Sequence, residues 1–127
     1  MEQKLSERVI GCAIEVSREL GSGYLEKIYE AALAIELERI GIRFHRQRPL
    51  SVSYKGAEIG KYFCDFVVEE RLIVELKAAN VMMSEHEAQV LHYLKATGIR
   101  AALLLNFGAA KLGIRRLVRE HDDNDPI

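Results

Sequence analysis

Two short runs, Phe63-Cys64-Asp65-Phe66-Val67-Val68 and Leu72-Ile73-Val74-Glu75-Leu76-Lys77, flank the triplet Glu69-Glu70-Arg71. Both read as strands, Leu72-Ile73-Val74 and Leu76 are too apolar for a simple exposed edge, and the triplet is a common length for a hairpin connection. With a three-residue loop Val68 faces Leu72, and Asp65 falls opposite Glu75. Side chains alternate faces along a strand, so Lys77 joins Glu75 on the same face. Facing Cβ atoms lie roughly 4.5 to 5.5 Å apart, and two carboxylates at that distance repel unless something positive lies between them. Carboxylate oxygens suit a hard divalent cation such as Mg²⁺ or Mn²⁺, and Lys77 is placed to orient or deprotonate a water or to offset charge on a phosphate. An isolated Glu-x-Lys is ordinarily a solvated pair, but charges embedded in runs this apolar need a reason.

The rest of the chain supplies the cover. From Leu5 to Leu20, apolar residues Leu5, Val9, Cys12, Ala13, Val16 and Leu20 recur at helical spacing, and Gly21-Ser22-Gly23 ends that helix. Ser22 is expected to cap the next helix, from about Tyr24 to Ile40, whose stripe is Tyr29, Leu33, Leu37 and Ile40. Beyond Gly41 the period drops to two through Ile42, Phe44, Leu50, Val52 and Tyr54, with Pro49 pointing to an edge or a bulge and Lys55-Gly56 to a turn. Strands Ile59 to Val68 and Leu72 to Leu76 follow. A helix from Ser84 to Thr97 starts at a Ser-x-x-Glu box with Glu87, and Ala101 to Asn106 is a strand buried on both faces. Leu112 to Val118 reads as a last strand or a short helix, with strand the better fit. The order α-α-β-β-β-α-β, followed by that open element, implies an α/β fold in which helices flank a mixed sheet.

The 127 residues fit one domain, residues 1–120, followed by an acidic tail at 121–127. The 18 Lys and Arg against 19 Asp and Glu exclude a polycation that coats nucleic acid or anionic membrane, though not a local basic groove. Two distant cysteines, Cys12 and Cys64, build neither a disulfide framework nor a zinc site, and a reducing, cytoplasmic setting is expected. Neither a signal-peptide pattern nor a run of about 20 apolar residues is present, so no membrane role is expected.

Two helical features point to the acidic hairpin. Glu26, at the start of the second helix, shares the wheel with Tyr29 and Leu33 and is expected on the core side. On the later helix His86, Gln89 and Tyr93 occupy a narrow arc beside Val90 and Leu94, whereas His92 and Lys95 fall on the outer face, where solvent is expected. Two basic stretches, Arg43, Arg46 and Arg48 with His45 and Gln47, and Lys111, Arg115, Arg116 and Arg119, are candidates for phosphate contact. Aromatic content of 7% without tryptophan argues against an extensive stacking platform.

Asp65 and Glu75-Leu76-Lys77, after a helix with Glu26 and before one with Gln89-x-x-x-Tyr93, resemble the motif set of the PD-(D/E)xK nuclease superfamily. Within it, Gly23-x-x-Glu26-x-x-Tyr29 is similar to the signature of the GxxExxY family, and Gln-x-x-x-Tyr to the RecB-like and Cas4-like branch. The resemblance spans roughly Leu5 to Val118. It implies a restriction-endonuclease-like core and Mg²⁺- or Mn²⁺-dependent phosphodiester hydrolysis, of DNA more than RNA. By that resemblance Asp65, Glu75 and the backbone carbonyl of Leu76 would bind metal, Lys77 would position water, Glu26 would assist, and Gln89 and Tyr93 would orient substrate or the Lys77 region. Arg46, Arg48, Arg115 and Arg116 would contact nucleic acid. Cys64 stands where the name-giving proline would be, and two cysteines cannot hold the iron-sulfur cluster of some Cas4-like relatives. A single small domain also lacks modules that tell larger relatives where to cut, leaving room for a second copy or a partner protein. The competing reading is an inert nucleic-acid- or partner-binding module that retains the nuclease fold.

Overall fold

The computed structural model describes residues 4–82 and 84–119. The expected acidic tail lies outside the described residues. Helix α1, Leu5–Leu20, buries Leu5, Val9, Cys12, Ala13 and Val16, the stripe its spacing implies. It stops at Gly21, whose amide donates to Ser17 O and whose φ of 67° suits glycine. Helix α2, Glu26–Arg39, buries Tyr29, Leu33, Ala34 and Leu37. Its N-cap is Leu25, which makes no side-chain cap bond, so the cap expected from Ser22 is not made. The connection is fastened instead by Tyr29, whose hydroxyl donates to Gly21 O at 2.6 Å and accepts the Tyr24 amide at 3.2 Å.

Five strands follow the expected boundaries within a few residues: β1 Phe44–Tyr54, β2 Ala57–Val68, β3 Leu72–Lys77, β4 Ala101–Asn106 and β5 Gly113–Val118. The open C-terminal element is therefore a strand. Helix α3, Ser84–Thr97, joins β3 to β4, which pair in parallel, while every other neighbouring pair is antiparallel in the order β1-β2-β3-β4-β5. A parallel pair needs such a crossover. All six residues of β4 are buried, as expected of the strand that pairs with β3 and β5 under helices on both faces.

The helices divide the core. Phe66, Val68, Leu72, Val74, Leu76, Leu103 and Leu105 pack under α1 and α2, and Tyr29 stacks on Phe107 with ring centroids 4.7 Å apart. Val67, Ile73, Ala102 and Leu104 pack under α3 with Val90 and Leu94. Strands β1 and β2 pair along almost their whole length, but only the last residues of β2 pair with β3. The distal part of the hairpin, turned by Lys55 and Gly56 with φ of 49° and 83°, is a two-stranded ribbon reaching past the sheet.

Candidate active site

The β2–β3 connection has the three-residue length assumed from sequence, and Phe66 faces Val74, Val67 faces Ile73 and Val68 faces Leu72. The ladder ends there. One step further the side chains replace the missing backbone bonds: Asp65 N–H donates to Glu75 Oε1 at 2.8 Å, and Leu76 N–H donates to Asp65 Oδ2 at 2.8 Å. Each acid thereby satisfies an amide of the opposing strand, and both are buried, Asp65 9% and Glu75 4% exposed.

Face alternation also slips at this point. Phe66 and Val68 point to the α1/α2 side and Val67 to the α3 side, as a period of two requires. Cys64 is nevertheless on the α3 side too, and the Tyr62 ring meets Tyr93 at 5.7 Å, so Asp65 sits where the two phases join. Across from it in β1, Gln47 lies between the pairs Arg46–Phe66 and Arg48–Cys64 with φ of 51°, a left-handed conformation rare for a residue with a side chain. From that turn-out its amide nitrogen donates to Asp65 Oδ1 at 3.0 Å and to Glu30 Oε1 at 2.6 Å.

Glu30 and the linking role of Gln47 are features that sequence reasoning missed. Glu30 stands one helical turn past Glu26, and that i, i+4 spacing of two acids was the available signal. Nothing in the sequence distinguishes Gln47 from its basic neighbours. Glu26 was expected on the core side but is exposed at the rim. It is the first residue of α2, and helical side chains lean toward the N-terminus, which carries this one off the end of the helix. Its carboxyl is still pushed above the ordinary range by partial desolvation, then by the charge of Asp65, with Lys77 opposing.

Burial pushes the Glu75 carboxyl up to about 8, with the charge of Asp65 next, and burial likewise raises Asp65 against the hydrogen bonds from Leu76 and Gln47. Two acids in this relation either share a proton or, to be charged together, need a cation beside them. The oxygens are hard donors. Mg²⁺-type binding takes one or two carboxylates, with water in the remaining positions, and among the described residues no group of three or more His, Cys, Asp or Glu side chains is placed to hold a metal ion. Burial, then the charge of Glu75, pushes the Cys64 thiol up to about 12, which keeps it in the neutral form.

Lys77, half-buried at the end of β3, has its Nζ 3.4 Å from Gln89 Oε1 on α3. Tyr93, one turn on, is buried, and its hydroxyl is held protonated by burial and by Glu75. The backbone beyond Lys77 is clamped. Phe107 N–H donates to Lys77 O, and the Asn106 side chain accepts from the Ala79 and Gly108 amides and donates to Ala79 O, all at 2.8 to 3.0 Å. Lys77 and Gln89 open into a groove of about 1020 Å³ between the β1–β2 ribbon and α3, lined also by Tyr62, His86, His92 and Lys95. His92 and Lys95, read from sequence as purely solvated, are exposed but face this groove.

The arginines singled out from sequence do not line this groove. Arg46 pairs with Glu30 at 2.8 Å and Arg48 with Glu70, while Arg115 on β5 approaches Glu87 at 3.7 Å with Arg116 exposed beside it.

A mixed five-stranded sheet between helices in this order is the layout of a restriction-endonuclease-like domain. The chain belongs to the PD-(D/E)XK nuclease superfamily, whose model matches residues 3–117. Members of that superfamily typically use divalent metals. The fold is similar to the crystal structure of SSO0001, with a TM-score of 0.61 and 15% identity over 94% of this chain. The chain spans 59% of the length of that protein. It is also similar to an alkaline exonuclease (LHK-Exo) from Laribacter hongkongensis, with a TM-score of 0.51 and 12% identity over 91% of this chain and 82% of that one. No curated protein matches the chain. Among the described residues no helix is long and apolar enough to cross a membrane.

Proposed function

We propose that this chain is a nuclease that hydrolyses phosphodiester bonds of nucleic acid, DNA in preference to RNA, using Mg²⁺ or Mn²⁺. The observation that carries the reading is the buried Asp65–Glu75 pair, bound to opposing strand amides and opening, through Lys77, into a groove. Asp65, Glu75 and the carbonyl of Leu76 would hold the cation, with Gln47 fixing Asp65 and Glu26 assisting from the rim. A divalent cation bound there supplies Lewis-acid activation of water and neutralisation of phosphate charge. Lys77 directs its ammonium at the attacking water or a non-bridging oxygen, and Gln89 holds that ammonium in place. The water oxygen forms a new bond to phosphorus while the bond to the bridging ester oxygen breaks. The water gives up one proton and the leaving oxygen gains one.

Gly23-x-x-Glu26-x-x-Tyr29 and Gln89-x-x-x-Tyr93 support a place in the GxxExxY family of the RecB-like and Cas4-like branch. The Tyr29 hydroxyl bonds give the motif a structural reason, since they tie down the loop that starts α2 at Glu26. Two free, buried cysteines suit a reducing, cytoplasmic setting.

The test is incubation with labelled single- and double-stranded DNA and RNA in Mg²⁺, Mn²⁺ or EDTA, with Asp65→Ala and Lys77→Ala alongside. Cation-dependent cleavage reduced about 10²- to 10³-fold by Lys77→Ala is expected. Cleavage that persists in EDTA, or in both variants, would refute the reading. Binding without cleavage in every condition would assign the chain to the inert class.

A further inference from the structure

We infer that the groove between the β1–β2 ribbon and α3 is the track for one unpaired nucleic-acid strand, which Tyr62 stacks and Lys95 and His92 hold by its phosphates. This rests on the proposed function for the kind of ligand and goes further in naming its strandedness and its contacts.

Position is the first argument. The groove starts at Lys77 and Gln89, so a strand lying in it delivers a phosphate to the acidic pair without leaving the protein surface. Access to the bases is the second. The groove's walls are β1 and α3, with Tyr62 of β2 between them, and only an unpaired strand can turn a base onto that ring, because a duplex keeps its base faces stacked inside.

The lining is the third argument. Single-strand tracks combine aromatic faces for stacking with cations for the backbone. Tyr62 is 50% exposed, and its inner side is fixed against Tyr93 with ring centroids 5.7 Å apart, leaving the remaining surface of a braced ring to a base. Lys95, His92 and His86 stand with Lys77 along the groove, against one acid, Glu85. Among the described residues the side chains of Lys95 and His92 are in no ion pair, in contrast to Arg43, Arg46 and Arg48, which are engaged by Glu69, Glu30 and Glu70. Stacking is indifferent to base identity, so the contact assigned to Tyr62 carries no sequence preference.

The test is fluorescence anisotropy in EDTA, which stops cleavage, with labelled twelve-residue single strands of DNA and RNA and a blunt DNA duplex of the same length. Single strands should bind at least about tenfold more tightly than the duplex. Tyr62→Ala should weaken them about 5- to 100-fold, the value of one stacked base, and Tyr62→Phe should restore binding because the ring and not the hydroxyl is used. Lys95→Glu should weaken them as well, with melting temperatures confirming that each variant is folded. The inference fails if the duplex binds as well as single strands, if nothing binds, or if Tyr62→Ala and Lys95→Glu bind single strands like wild type. Preferential duplex cleavage in Mg²⁺ would overturn it while leaving the nuclease reading intact. Tyr62-dependent single-strand binding without cleavage would do the reverse. The DNA and RNA arms tell which sugar the track accepts.

Discussion

Asp65 and Glu75 do two things at once: each accepts a strand amide, and each keeps a carboxylate in a dry site beside the other. The first is structural and works with either protonation state, but the second penalises charge. The Glu75 carboxyl rises from the ordinary 4.5 to about 8, so the folded state holds its proton where the unfolded chain releases it. That contribution to stability is fully present below about pH 4.5 and is lost as pH rises toward 8. In EDTA the melting temperature should therefore fall across that window. Glu75→Gln keeps an oxygen for the Asp65 amide and should flatten the fall, and Mn²⁺ should raise the wild-type melting temperature most at the alkaline end. An identical slope in wild type and variant would show that the pair is not the source. Gln47 makes a second prediction at this scale. Because it spans Asp65 and Glu30, Gln47→Ala should weaken Mn²⁺ binding about 10- to 100-fold, read from the cation dependence of melting, and an unchanged midpoint would remove it from the site. Asp65, Glu75 and Lys77 were legible in sequence because strand period and loop length suffice to bring them together. Glu30 and Gln47 were not, since their meeting depends on α2 lying against β1 and on one left-handed residue, neither of which periodicity encodes.

At the scale of elements, β3 is useful only if the chain beyond it cannot drift. Gly108 lies so close to that segment that a Cβ there would be 2.3 Å from Ala79 O and 2.4 Å from Ala79 N, atoms of backbone that cannot rotate away. Asn106 completes the clamp with three bonds to Ala79 and Gly108. Gly108→Ala should destabilise the protein by about 1–3 kcal/mol, as overpacking does, and should lower cleavage more than Asn106-independent surface variants such as Lys61→Ala, because the Leu76–Lys77 backbone shifts with the loop. Denaturant melts and cleavage rates check both halves, and a Gly108→Ala protein as stable and active as wild type would rule the clamp out. Sequence periodicity located the elements to within a few residues, with the type of the last one left open between strand and helix, because α1, β3 and β4 state their burial plainly. It did not identify this clamp, since Phe107-Gly108 after a strand looks like any loop. Nor did it anticipate that α2 would be fixed by a buried tyrosine hydroxyl rather than by the serine four residues ahead of the helix.

For the molecule as a whole, 18 positive and 19 negative side chains leave no bulk attraction for a polyanion, so affinity must come from where the charges stand. The arginines just before and at the start of β1 face acids of their own: Arg43 with Glu69, Arg46 with Glu30 and Arg48 with Glu70. What the fold adds to the sequence is the groove, because only the reach of the ribbon past the sheet turns His92 and Lys95 from an outer helix face into a wall beside Lys77. This difference is measurable as a salt dependence. Each phosphate neutralised on a single strand contributes about −0.7 to the slope of log K against log salt. Lys77 and Lys95 alone then give a slope of about −1.4, and His86 and His92 carrying charge as well would take it to about −2.8. Recruitment of Arg46, Arg48, Arg115 and Arg116 in addition would push it to about −5 or beyond. Anisotropy titrations from low to moderate salt should give the shallow value, and Lys95→Ala should make it shallower by about 0.7. A slope that Lys95→Ala leaves unchanged would place the strand over the arginines, away from the groove.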